Sequence, residues 1–158
     1  MGLYANGSAS VVVARKGLIV TIGDLFSESW SAGTNAYYRL LRYAGITTED
    51  HRIRDNAATI GIIRQFTCNP LSVSVQSVID SGSQLLSYQD NMQIDHFEYA
   101  RSGILTLDKT TIGALVRTTV SDFAQMNLYS LIITKSALSD AQRIKCERYA
   151  ASKAGVQL

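Results

Sequence analysis

The sequence predicts an all-β protein built as a two-sheet antiparallel sandwich, with one short α-helix at its end. Many short runs rich in β-branched and aromatic residues follow one another, separated by turn residues, which is typical of a sandwich. Segment 71–78 alternates apolar and polar residues, the pattern of a strand with one buried and one wet face. Only the C-terminal segment changes to the period of a helix. The 158 residues are enough for one core, so we treat 1–158 as a single domain.

The strands are predicted in chain order from these runs. Lys16-Gly17 is expected to separate the first two strands, and 27–35 is a polar, glycine-containing loop around Trp30. The predicted strands are 9–14, 18–22, 37–43, 51–54, 59–66, 71–78, 84–88, 92–99, 104–107, 111–116 and 127–134.

The closing helix is predicted by its capping residues. Ser139 is a favourable N-cap, and Gln142 three residues later completes a capping box. Gly155 is placed to end the helix. We expect an apolar stripe of Cys146, Tyr149 and Ala150 to pack on the sandwich.

The composition argues against some classes of binding partner. The net charge is +2, and the arginines of the first half are interspersed with acids, so we expect a solvated strand face rather than a nucleic-acid surface. No apolar run of 18 residues predicts a transmembrane helix, and the N-terminus lacks the pattern of a signal peptide. Cys68 and Cys146 could form one disulfide, but their flanking residues favour two buried thiols.

Four segments of the second half, in order over about residues 70–155, resemble the concanavalin A-like lectin/glucanase (laminin-G-like) domains. They are the hairpin DSGSQLLSYQDN at 80–91, LTLD through TIGA at 105–114, LYSLII at 128–133, and ALSDAQR through Tyr149 at 137–149. GDLFS at 23–27 is similar to an earlier strand of the family. The resemblance implies a β-jelly-roll sandwich, of a kind found in phage tail and capsid-surface proteins and in secreted glycan-binding modules. It makes carbohydrate binding the first functional expectation.

The resemblance also raises the question of an uncovered sheet edge. Members of the family usually open with an extra strand, which pairs beside the strand that here is 128–134. Only nine residues precede segment 10–15, which resembles the next strand of the family. Because an open apolar edge invites aggregation, we expect residues 2–8 or another protein chain to cover it. The second option implies a homo-oligomer, with a trimer favoured.

A catalytic or metal site is not expected. Glycosidases need two acids close together, whereas Glu49 and Asp50 are adjacent and should face opposite sides of a strand. His51 and His96 are far apart and are expected at the surface. Asp90, Asn91 and Asp95 could bind calcium, but a hairpin turn is the preferred interpretation. We therefore expect no metal, no cofactor and no enzyme activity.

Binding residues are predicted from aromatic side chains that stand beside amides and carboxylates. Sugars stack their apolar faces on aromatic rings while polar side chains bind the hydroxyls. The best cluster surrounds the loop at Trp30, although one of its two tyrosines could pack in the core because strand neighbours face opposite ways. The candidate ligand-binding residues are Trp30, Asn35, Tyr37 and Tyr38, with a weaker second cluster at Tyr88 and Asp90.

The sequence therefore predicts a non-catalytic binding module, with glycans as the favoured ligand class. We expect it on a phage virion or an extracellular assembly. The alternative is a structural virion protein, such as a capsid decoration or tail-fibre component, with only protein partners. A glycosidase is the third interpretation. Neither nucleic acid nor a membrane is an expected partner.

Overall fold

A computed structural model describes residues 2–4, 7–19, 22–58, 60–101 and 103–158. These residues form twelve strands and one helix. In chain order the elements are β1 Ala9–Ile19, β2 Gly23–Ser29, β3 Tyr37–Tyr43, β4 Thr48–Arg54, β5 Ile60–Thr67, β6 Ser74–Asp80, β7 Gln84–Gln89, β8 Met92–Glu98, β9 Lys109–Ile112, β10 Leu115–Val116, β11 Val120–Ser121, β12 Gln125–Thr134 and α1 Asp140–Ala154.

The strands form two five-stranded sheets that pack face to face. Sheet A has the order β12-β1-β6-β7-β8, and sheet B has the order β5-β4-β3-β2-β9. Neighbouring strands in both sheets are antiparallel. The short strands β10 and β11 form a separate hairpin. The predicted two-sheet antiparallel sandwich with one C-terminal helix is confirmed.

The core between the sheets is formed by alternate residues of the central strands. Val11 and Val13 of β1 meet Tyr38 and Leu40 of β3, and all four are almost completely buried. This alternation is the period of two that places every second side chain on one face of a strand.

The predicted strand boundaries were partly wrong. β1 runs without a break through Lys16-Gly17, and 104–107 is irregular. Residues 20, 21 and 59 of the predicted strands lie outside the described residues.

Helix α1 covers the outer face of sheet A. Val12, Ala14 and Val75 pack there against Ala150 and Ala151. For this reason β6 is buried on both faces, and the wet face predicted for 71–78 does not exist. The strand itself begins only at Ser74.

The predicted helix caps are confirmed, and the predicted apolar stripe is partly right. Ser139 and Gln142 make both bonds of the capping box, and Gly155 ends the helix with φ of 69°. Ala150 is buried against sheet A and Cys146 packs against the same cluster while partly buried, but Tyr149 is 55% exposed. The other buried side chains of the helix are Arg143, Glu147 and Ala151.

Two charged side chains of α1 can be buried against sheet A because they form a salt bridge with each other. Arg143 donates to both carboxylate oxygens of Glu147 at 2.8 Å, and Glu147 accepts a bond of 2.6 Å from Ser77 of β6. The Arg143 guanidinium also lies 3.8 Å from the centre of the Tyr88 ring. A buried charge is tolerated when it is paired and hydrogen-bonded in this way.

Further polar side chains are buried between the two sheets. Arg15 of β1 forms a fully buried salt bridge with Glu49 of β4 and donates to Gln76 at 2.8 Å. His51 was expected at the surface but is completely buried, whereas His96 is exposed as expected. Cys68 and Cys146 are free thiols, and burial raises the pKa of Cys68 well above its usual range.

The described part of the N-terminal segment lies against sheet B and not along the edge of β12. Leu3 donates its N–H to Glu28 of β2 at 2.7 Å, and Tyr4 packs edge-on against Tyr38 of sheet B. Within the described ranges, β12 pairs only with β1, so its other edge is open. Residues 5 and 6 lie outside those ranges.

Two kinds of special site are absent from the described part of the chain. No helix there is long and apolar enough to cross a membrane. No group of three or more histidine, cysteine or acidic side chains among the described residues could hold a metal ion. Asp90 and Asn91 have positive φ values of 50° and 67° and form the turn between β7 and β8.

Candidate functional site

The outer face of sheet B carries a dense group of arginine side chains. Strand register places Tyr37 opposite Arg54 and Arg39 opposite Arg52. Arg42 lies opposite Asp50 beyond an irregularity in the pairing. Since paired residues share a face of the sheet, these side chains stand together on the side away from the core. We call the group of Tyr37, Arg39, Arg42, Arg52 and Arg54 the arginine face. Tyr37, Arg39 and Arg42 are buried in it, and Arg52 and Arg54 are partly exposed.

Asp50 holds two of these arginines through one oxygen. Its Oδ2 accepts a bond of 2.9 Å from Arg42 Nη1 and one of 2.8 Å from Arg52 Nε. The Arg42 side chain is almost fully buried, whereas that of Arg52 is 26% exposed. One carboxylate therefore faces two guanidinium groups, and Arg52 is the one that reaches solvent.

Arg39 is held by two carboxylates. Its Nη2 lies 2.8 Å from Asp24 Oδ2 and also contacts Asp122 Oδ2. Burial raises the pKa of Asp24 to about 7, although the nearby Arg39 opposes that rise. Asp24 therefore changes its charge near neutral pH, and with it the electrostatic balance of the arginine face.

Arg54 and Arg117 are bound differently from the other arginines. Arg54 Nε donates to the backbone oxygen of Ala58 at 3.3 Å, and Arg117 Nη1 donates to that of Thr34 at 2.8 Å. In the part of the chain that the structure describes, neither forms a salt bridge. Both residues are partly exposed, so their remaining N–H groups are available to bind an anion.

The charges of this region do not cancel. Arg39, Arg42, Arg52, Arg54 and Arg117 stand beside the carboxylates of Asp24, Asp50 and Asp122. Five guanidinium groups therefore exceed the three carboxylates by two positive charges when all three acids are ionised, and by more when Asp24 is protonated. A concentration of one sign of charge on a low-dielectric surface attracts anionic ligands.

The β10–β11 hairpin borders the arginine face along β2. Ser27 Oγ donates to the backbone oxygen of Ala114 at 2.9 Å, and Ser29 Oγ donates to that of Val116. At the end of the hairpin, Gly23 lies against the backbone of Phe123, where an added Cβ would stand 2.6 Å from the Phe123 oxygen. Phe123, which is 60% exposed, directly follows Asp122, the partner of Arg39, in the chain. The hairpin therefore carries an exposed aromatic residue next in sequence to a carboxylate of the site.

Three of the predicted binding residues lie at one end of this face. Tyr37 belongs to it, and the Arg39 guanidinium lies 5.0 Å from the centre of its ring. Asn35 donates to the backbone oxygen of Asn56 at 3.2 Å. Trp30 is half-buried and packs on Gly33, where a Cβ would meet the indole ring at 2.1 Å. Their role in binding stays a prediction.

The other predicted residues lie elsewhere. Tyr38 points into the core, has no exposed surface and donates to Asp80 at 2.5 Å. Tyr88 lies under Arg143 of α1, and Asp90 accepts a bond of 2.8 Å from the N–H of Val75, so both belong to the side of sheet A. The structure therefore does not join the two predicted clusters.

The arginines were not among the candidate binding residues predicted from the sequence. They were interpreted as a solvated strand face because acids lie among them in the sequence. The available signal was their period of two, with Tyr37 and Arg39 on one strand and Arg52 and Arg54 on the next. Only the register of β3 with β4 shows that the two short runs are neighbours.

Comparison with known proteins rests on structure alone. No protein-family model matches the sequence, and no curated protein matches it. A module of the Ruminococcus gnavus IT-sialidase, CBM40 bound to alpha2,3 sialyllactose, superposes with a TM-score of 0.76 at 12% identity, over 89% of this chain and 82% of that one. The chain has the same β-sandwich fold.

Two whole sialidases contain the same sandwich. The leech intramolecular trans-sialidase aligns with a TM-score of 0.72 at 12% identity over 89% of this chain. The NanB sialidase of Streptococcus pneumoniae aligns with a TM-score of 0.73 at 19% identity over 85%. This chain spans about a quarter of the length of either enzyme, 23% in each case. The resemblance drawn from the sequence holds at the level of a lectin-like β-sandwich.

Proposed function

We propose that this chain is a non-catalytic carbohydrate-binding module and that its arginine face binds a carboxylate-bearing glycan, sialylated chains being the favoured class. The observation that carries the proposal is the excess of guanidinium groups on the outer face of sheet B. The likeness to a sialidase module bound to sialyllactose supports the same ligand class.

The arrangement suits a sugar carboxylate. Arginine presents a planar fork of N–H donors that matches the two oxygens of a carboxylate, and such charge-assisted bonds are the stronger ones. Arg52 reaches solvent from its bond to Asp50, and Arg54 stands beside it on β4. Arg117 lies in the turn between β10 and β11 and donates to the backbone oxygen of Thr34. The exposed ring of Phe123 on the hairpin offers surface for the apolar part of a sugar, whereas Tyr37 is buried beneath Arg39.

The acids of the face support binding rather than hydrolysis. A glycosidase keeps one carboxyl group as a proton donor and a second as a nucleophile or base. Here Asp50 accepts from Arg42 and Arg52, and Asp122 accepts from Arg39. Asp24, whose pKa is raised, is paired with Arg39 and has no exposed surface from which to protonate a bound sugar. Carboxylates engaged in this way serve to position the arginines.

We extend the proposal to the setting of the module. Glycans are displayed on cell surfaces and on extracellular material, so we place the protein on an extracellular or phage-virion assembly. The competing function, a structural virion component with protein partners only, draws support from the open edge of β12.

Calorimetric titration with 3′-sialyllactose and with lactose tests the ligand class. We expect binding of the sialylated sugar only, since lactose lacks the carboxylate. Arg52→Ala and Arg54→Ala should each weaken binding about 10-fold to 100-fold, because a hydrogen bond to a charged group contributes about 1.5–3 kcal/mol. Arg148→Ala is the matched control, because it removes an exposed arginine from α1 on the opposite side of the sandwich. Equal binding of both sugars, or equal losses in all three variants, would contradict the proposal.

The Trp30 loop offers a competing platform for the sugar and has its own test. If Trp30 stacks on the ligand, Trp30→Ala should remove glycan binding and change the free energy of unfolding by no more than about 1 kcal/mol. A larger loss of stability would assign Trp30 to the packing of its loop, where Gly33 already contacts it.

A further inference from the structure

Among the four edge strands of the two sheets, β12 has a distinctive composition. Arg64 lies on β5, Asp95 and Glu98 lie on β8, and Lys109 lies on β9. The ten residues of β12, QMNLYSLIIT, include no charged residue and no proline. Charges and proline are the usual means by which a protein prevents an edge from pairing with another chain. β12 lacks them, and its outer edge is open over the described residues.

The regular part of the β12 edge is its C-terminal half. Pairing with β1 shifts at Tyr129, because Ala14 faces Ser130 while Arg15 faces Leu128. Such a bulge twists a strand locally and interrupts a flat edge. From 130 to 134 the register with β1 is unbroken. This half is therefore the segment able to accept another strand.

The residues of this half are arranged symmetrically about Ile132. In an antiparallel pair of two copies centred there, Ile132 faces itself, Leu131 faces Ile133, and Ser130 faces Thr134. Apolar side chains thus meet apolar ones, and hydroxyls meet hydroxyls, both favourable cross-strand pairs. The exposed Lys135 comes beside the exposed Tyr129 of the second copy, where a cation can lie over the ring.

We propose that two copies of this chain pair antiparallel through residues 130–134 of β12, with a twofold axis at Ile132. The two copies of sheet A then form one ten-stranded sheet, and each open edge is closed by its counterpart. Such an interface is isologous, the commonest kind in homo-oligomers. It also covers Ile133, which is 38% exposed in the single chain. The inference is independent of any glycan.

Sedimentation velocity over a range of concentrations tests the association. The native chain should sediment as a dimer at high concentration, and Ile133→Lys should shift it to a monomer because the introduced charges meet apolar side chains at the interface. Ile63→Lys is the matched control, because it adds the same charge at an exposed isoleucine of β5 and should leave the dimer intact. Circular dichroism should show that both variants fold. A native chain that is monomeric at every concentration would overturn the proposal, as would a trimer.

Cysteine cross-linking tests the register and does not depend on disrupting the strand. With both Ser130→Cys and Thr134→Cys in one chain, the two thiols of each facing pair stand at the separation of directly opposed strand residues, which a disulfide can span. Oxidation should therefore give a covalent dimer. Ser130→Cys alone should give none, and the native chain controls for Cys68 and Cys146. Equal cross-linking of the single and double variants would refute the register.

Discussion

Acid should destabilise this protein through His51. The imidazole lies between the sheets, where its Nδ1 contacts the backbone oxygen of Leu40 and its Nε2 lies 2.7 Å from Ser87 Oγ. Since a backbone oxygen only accepts, Nδ1 carries the proton and Nε2 accepts from the serine hydroxyl. Burial lowers the pKa of His51 from 6.5 to about 4. The fold therefore holds the neutral form.

The size of the effect follows from the two pKa values. The unfolded chain binds a proton near pH 6.5, whereas the folded chain does so only near pH 4, so stability falls as the pH drops between these values. The loss is about 2 kcal/mol at pH 5 and about 3 kcal/mol at pH 4. Asp24 acts in the opposite direction: its raised pKa means that the fold gains stability as the pH falls from about 7.

The variant His51→Gln separates the contribution of His51 to the pH dependence of stability from that of Asp24. Urea unfolding of the native chain and of His51→Gln, at intervals between pH 8 and pH 4, isolates the histidine as the difference between the curves. We expect the native chain to lose about 3 kcal/mol more than the variant across this range. His96→Gln removes the exposed histidine and is the control, which should follow the native curve. Parallel curves for the native chain and His51→Gln would refute the assignment of a buried neutral imidazole.

Three further predictions concern stability. Glu49→Ala should lower the free energy of unfolding by about 3–5 kcal/mol in urea titrations, because it leaves the buried Arg15 unpaired; a loss below 1 kcal/mol would contradict this. Ser139→Ala should lower it by about 1 kcal/mol through loss of the helix cap, and an unchanged melting curve would argue against the capping box. Deleting 139–158 should expose the apolar patch of sheet A and cause aggregation, measurable by light scattering; a soluble, folded truncation would show that α1 is dispensable.

Local signals in the sequence predicted those parts of the fold that depend on neighbouring residues. The caps of α1 and the turn at Asp90-Asn91 each need only a few adjacent side chains, and both were predicted correctly. The two-sheet antiparallel sandwich also followed, because period-two runs and turn residues recur throughout the chain.

What the sequence could not predict depends on partners that lie far apart in the chain. His51 can be buried because Ser87, 36 residues away in the sequence, supplies a hydrogen-bond partner for its Nε2. Glu147 is buried because Ser77, 70 residues away, donates to it. The arginine face is assembled by the register of β3 with β4 and by Asp122, which lies 83 residues from Arg39. Each residue taken alone is typical of a solvated surface.

The antiparallel pairing proposed for β12 has a consequence for valency. Directly opposed residues of an antiparallel pair point to the same side of a sheet, so sheet B of each copy would lie on the same side of the joined sheet A. Both arginine faces would then look in one direction, towards one glycan-coated surface. Two weak contacts made at once can raise the overall avidity by factors on the order of 10² to 10⁴ without any new contact to the sugar. The dimer would then bind a glycan-coated surface tightly, although each arginine face alone would bind free sugar weakly and release it quickly.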